Sequence, residues 1–85
     1  MTLEHTAISL LRNVPVRRIV RALERDGFQF TEAQGSQRVY RHPDGRRVVI
    51  HYHRSNLTLP PYVIRNLLTG TRWAEADLRR LKLVK

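Results

Sequence analysis

Gln34-Gly35-Ser36-Gln37-Arg38-Val39-Tyr40-Arg41-His42-Pro43-Asp44-Gly45-Arg46-Arg47-Val48-Val49-Ile50 carries the clearest turn and strand signals of the chain. A glycine-led turn opens it, and a short polar-apolar run follows. His42-Pro43-Asp44-Gly45 then has the residues of a type I turn with glycine in the left-handed position. A second run, rich in β-branched residues, starts at Arg46. This spells a hairpin with a strand over 37–41 and another over 46–53. Arginines recur through both strands.

Working backwards, Phe28-Gln29-Phe30-Thr31-Glu32 alternates and reads as an earlier strand with both phenylalanines facing the core. Gly27 before it suits the left-handed end of a helix. That helix starts at Pro15, where the missing N–H has no intrahelical partner to lose. Val16, Ile19, Val20 and Leu23 form its apolar stripe, with Arg17, Arg18, Arg21 and Arg25 opposite. Residues 1–13 show weak periodicity and are expected to add a helical turn or an arm, so 1–13 is an extension and 14–85 one domain. Working forwards, a helix is expected from Pro60 through Leu68, broken by Thr69-Gly70-Thr71. A short third helix over Trp73–Leu81 should turn Trp73, Leu78 and Leu81 inward. Strand three carries Val48, Val49 and Ile50 in succession, so its buried face is left open. The expected fold is α+β: a two-layer sandwich, α-β-β-β-α with an extra short C-terminal helix, both long helices covering one face of a three-stranded antiparallel sheet.

The chain has 85 residues, enough for one core that buries about 60 to 65% of the unfolded surface. Sixteen Lys and Arg against seven Asp and Glu give a net charge of +9, and every cation except Lys82 and Lys85 is arginine. The guanidinium fork matches phosphate oxygens, and a small basic domain is the electrostatic footprint of a nucleic-acid partner. There is no cysteine, hence no disulfide framework and no thiolate metal site. No apolar run approaches the ~20 residues of a membrane span, and the N-terminus lacks the pattern of a secretory signal. A cytoplasmic location fits these features.

Several pieces together resemble the HicA toxins of bacterial toxin–antitoxin pairs: Ala22-Leu23-Glu24 before Asp26-Gly27-Phe28, the Gly35-Ser36 pair, Arg41-His42-Pro43-Asp44-Gly45-Arg46-Arg47-Val48-Val49, His53, Tyr62–Leu68, and Trp73-Ala74-Glu75-Ala76-Asp77-Leu78. The likeness spans roughly residues 14–82. It implies a fold like that of a double-stranded-RNA-binding domain, metal-free cleavage of mRNA, no cofactor, and silencing by a HicB-like antitoxin. The family has a Gly-Ser-His at the start of strand two; this chain has Gln37 where that catalytic histidine stands. His51-Tyr52 and Pro60-Pro61 also depart from the family pattern.

Metal-free RNA cleavage needs one group to take the 2′-OH proton and another to protonate the departing 5′ oxygen, tasks suited to histidine. The glutamine amide hydrogen-bonds but does not shuttle protons at neutral pH. The resemblance with Gln37 therefore implies an impaired ribonuclease that still binds RNA, and leaves open whether it is an enzyme. Three explanations remain: a native binder, a histidine lost by replacement or selection, or a neighbour that took over the role, with His53 and His51 as candidates. His42 reads as a turn or packing residue. The basic set expected along the RNA backbone is Arg38, Arg41, Arg46, Arg47 and Arg54, with Ser36 beside them. His51-x-His53 lacks the further ligands of a structural zinc site, so no metal is assigned. The alternatives are a non-catalytic double-stranded-RNA binder and, more weakly, a helix-turn-helix DNA binder over residues 60–81, where Glu75 and Asp77 oppose phosphate. Val63, Ile64, Leu67, Leu68, Leu57 and Leu59 exceed what one sheet face needs. An antitoxin, or a second copy in its absence, is expected to cover part of them.

Overall fold

The computed structural model describes residues 3–84. The elements run α1 (Leu3–Leu11), α2 (Val16–Arg25), β1 (Gln29–Gln34), β2 (Gln37–Arg41), β3 (Arg47–His51), α3 (Pro61–Thr71) and α4 (Glu75–Arg80). The sheet is antiparallel with order β1-β2-β3. Its strand residues that join the core, Tyr40, Val48 and Ile50, lie on one face beneath the helices. This is the expected α+β layering, with both long helices on one side.

The two tight turns follow from their glycines. Gly35 sits at φ +57 in the two-residue connection between Gln34 and Gln37, which pair across the hairpin. Gly45 takes φ +100, and the His42 N–H to Arg46 carbonyl bond closes the second hairpin. The phase of β3 is settled by its partners: Val48 lies opposite Tyr40 and Ile50 opposite Arg38, so Val48 and Ile50 point to the helices while Val49 points away.

Four expectations need correction. Residues 3–11 form a full helix, and its Ala7, Ile8 and Leu11 are buried in the same core as α3. Of the expected apolar surplus only Leu57 stays exposed: Leu59 ahead of α3 and Val63, Ile64, Leu67 and Leu68 within it are buried in the chain. The five buried ones offer no patch to an antitoxin or a second copy. Next, α3 does not break at Thr69 but continues to Thr71. Gly70 is where the helix crosses β3, and a Cβ there would sit 2.6 Å from the Arg47 carbonyl oxygen. The glycine serves close approach rather than a helix stop. Third, only Phe28 is buried; Phe30 is 54% exposed. Phe30 stands opposite Tyr40, with ring centroids 5.7 Å apart, but β1 is an outer strand exposed along its whole length. Finally, β3 stops at His51. The Tyr52 N–H makes one more bond, to the Ser36 carbonyl, but Ser36 already belongs to the turn and offers no further ladder. His53 therefore leaves the strand.

Candidate nucleic-acid interface

The helix-free face of the sheet carries Gln37, Val39 and Arg41 from β2 and Arg47, Val49 and His51 from β3. Their register is Gln37 with His51, Val39 with Val49, and Arg41 with Arg47. Directly opposed residues in an antiparallel pair have Cβ atoms about 4.5 to 5.5 Å apart. Gln37 is thus beside the His51 imidazole. Val39 is only 4% exposed although no helix covers it. It floors a shallow depression rimmed by Glu32, Gln34, Gln37 and Arg47.

Arg41 and Arg47 face one another across the strands, an arrangement that costs stability unless an anion joins it. Glu32 meets Arg41 at 3.4 Å, but both side chains are more than half exposed, so the pair contributes little. Arg47 is exposed and has no acidic partner among the described residues. A phosphate placed over this ladder would meet two guanidiniums, each able to donate a fork of hydrogen bonds.

The remaining members of the expected basic set divide. Arg38 points to the other face, where its guanidinium donates to the Gly35 carbonyl at 2.6 Å and lies 5.1 Å from the centre of the Tyr52 ring. It fastens the turn that presents Ser36 and Gln37. Arg54 lies exposed in the loop after β3. Arg46 is withdrawn from any RNA groove. Its side chain is only 16% exposed and donates to Asp44, to Asp26 and to the Thr71 carbonyl, with its guanidinium 4.9 Å from the Phe28 ring centre.

Asp26 gathers what the sequence kept apart. Its carboxylate accepts from Arg46 at 3.0 Å, from the Trp73 indole N–H at 2.9 Å and from Arg80 at 3.1 Å. Burial alone would raise its pKa; the hydrogen bonds from Trp73 and Arg80, with the Arg46 charge, outweigh that and hold it below the ordinary 3.8. His42 joins the same knot. Its Nδ1 accepts from the Asp44 N–H at 3.0 Å, so Nε2 carries the proton and donates to the Asp26 carbonyl at 2.7 Å. Gly27, at φ +102, could not take a side chain, because a Cβ would lie 2.8 Å from that Nε2. Asp26-Gly27 and His42-Pro43-Asp44-Gly45 thus lock α2, the hairpin and α4 together. Their side chains are engaged within this knot, which positions the sheet, and His42 packs there as the sequence led one to expect. Sequence reading missed Asp26 as a hub; a buried indole N–H that needs an acceptor was the available signal.

At the end of the sheet, Ser36, His51 and His53 line a cleft of about 250 Å3, closed on the other side by Leu57, Tyr62 and Val63 at the start of α3. Of the expected site residues, Gln37, Arg41 and Arg47 share the open face, with Gln37 and Arg47 rimming one depression, while Ser36 and His53 meet at this adjoining cleft and His51 borders both. Among the described residues no group of three or more His, Cys, Asp or Glu side chains could hold a metal ion, and no helix is long and apolar enough to cross a membrane.

The family model described as HicA toxin of bacterial toxin-antitoxin matches residues 16–73. No individually curated protein is matched. The matched span runs from the first residue of α2 to Trp73, and so takes in the whole sheet and the Asp26–Trp73 contact. With well over half its length matched, and with the three-stranded sheet and paired turns in place, the chain belongs to the HicA family, the toxins of bacterial toxin–antitoxin pairs, and pairs with an antitoxin.

Proposed function

We propose that this toxin acts on RNA, and that its site lies on the open sheet face around Gln37. The observation that carries the reading is the Arg41–Arg47 pair, answered only by the exposed Glu32 at Arg41, on the same helix-free sheet face as Gln37. The pair binds the phosphate backbone, and the net charge of +9 brings the RNA to it. The family resemblance supplies the reaction: attack of a ribose 2′-OH on the adjacent phosphorus with departure of the 5′ oxygen. Gln37 orients the phosphate through its amide but accepts no proton, so cleavage runs about 10² to 10⁴ slower than with a histidine there. The partner that silences the toxin is a HicB-like antitoxin.

The test is binding of a single-stranded RNA across a salt series. Affinity should fall steeply and linearly on a log–log plot as phosphate-bound counterions are released. A chain that ignores RNA at low salt overturns the reading. A second reading is favoured by one observation, the cross-strand pairing of Gln37 with His51. A displaced general base must still reach the 2′-OH proton, and His51 meets that condition better than His53, which has left the strand. In that reading the parent protein cleaves RNA well and His51→Ala abolishes the cleavage.

A further inference from the structure

The cleft at the end of the sheet is not accounted for by the phosphate-binding face. Its wall at the start of α3 is Tyr62, 69% exposed, with no aromatic partner among the described residues. Leu57, at 44% exposure, continues the apolar wall, while Val63 is buried beneath. The opposite wall is Ser36 with His51 and His53, and no acidic residue lines the cleft. An exposed tyrosine facing a wall of hydrogen-bonding imidazoles and a hydroxyl offers a flat apolar surface on one side and polar recognition on the other.

The volume, about 250 Å3, falls below the roughly 300 to 1,000 Å3 of sites for drug-sized ligands, so the occupant is a single ring system. The cleft meets the open face at its Gln37–His51 end, four residues along the strands from the Arg41–Arg47 pair, about 13 Å at about 3.3 Å per residue. An RNA strand whose phosphate lies on that pair and runs along the open face would bring a base further along it to this cleft. We propose that the cleft is a nucleobase subsite for single-stranded RNA: Tyr62 stacks the base, and Ser36, His51 and His53 hydrogen-bond its edge and the adjoining phosphate. Stacking on an aromatic side chain suits a single strand, whose bases are free of their neighbours. The proposal rests on the RNA-directed reading above and adds to it where the base goes.

The experiment measures fluorescence anisotropy with a short 2′-O-methyl RNA, which cannot be cleaved, and with an abasic strand of the same length. Parent, Tyr62→Ala and Tyr62→Phe proteins are compared, and the exposure of Tyr62 lets each fold. Tyr62→Ala should weaken binding of the base-bearing strand by about tenfold. Tyr62→Phe should retain binding, and the abasic strand should not distinguish the three proteins. If Tyr62→Ala binds both strands as the parent does, the subsite is wrong and the RNA reading stands. If Tyr62→Ala leaves RNA binding intact but loses the antitoxin, the cleft is a protein contact and the proposal falls. If the parent binds neither strand, both readings fall together.

Discussion

Replacing Asp26 by alanine tests the knot that holds the site in shape. The carboxylate is only 10% exposed and accepts from the Trp73 indole and from Arg46, itself 16% exposed. Hydrogen bonds to a charged partner contribute about 1.5 to 3 kcal/mol each, and two of them at the lower value give about 3 kcal/mol. The lower value applies because Arg46 keeps its bonds to Asp44 and the Thr71 carbonyl, so its charge is not stranded. Arg80 is 53% exposed and adds little. The expected loss is therefore about 3 kcal/mol, and at about 4 to 8 °C per kcal/mol the midpoint drops by about 12 to 24 °C. Urea unfolding followed by the fluorescence of Trp73, the one tryptophan, reads this directly because that ring is buried in the core. Arg80→Ala should cost under about 1 kcal/mol. An Asp26→Ala protein within 1 kcal/mol of the parent, or an Arg80→Ala loss as large, would refute the assignment of the hub.

Gly70→Ala should destabilise by about 1 to 3 kcal/mol, because the new methyl meets the Arg47 backbone oxygen and α3 must move off β3; an unchanged urea midpoint counts against this contact. The depressed pKa of Asp26 means the unfolded chain binds more protons than the folded one just below pH 3.8. The stability it confers is thus complete above that pH and lost as pH falls further, and Asp26→Asn should flatten the slope in acid titrations of the unfolding midpoint. Arg47→Ala should reduce the salt slope of single-strand RNA binding by about 0.7, whereas an unchanged slope would place the phosphates elsewhere.

The hairpins were legible because their determinants are local: Gly35 and Pro43-Asp44-Gly45 fix the turns whatever lies around them. Where local signals tie, the sequence alone does not decide. Val48-Val49-Ile50 is apolar on both faces, so only the partners across the sheet decide its phase. Gly70 looks like a helix stop until β3 is seen beneath it. The role of α1 was hidden because its few apolar residues matter only against α3. The same holds for the site. Arg46 and Arg47 are neighbours with similar sequence surroundings, yet Asp26, twenty positions away, holds one while the other stays exposed. Distant partners such as Asp26 with Trp73 leave no periodic trace. The juxtaposition of Gln37 and His51 likewise depends on register, which the turn at His42–Gly45 sets and composition does not.

The measurement that bears most directly on the account is the rate of RNA cleavage by the Gln37→His protein beside the parent, in chelator and with the same RNA. Ser36, Arg41, Arg47 and the strand register that frames position 37 are in place, so supplying a proton-transfer group there should raise the rate, and toxicity on expression, by at least about a hundredfold. A parent that already cleaves RNA rapidly, with Gln37→His adding nothing and His51→Ala removing the activity, would contradict it.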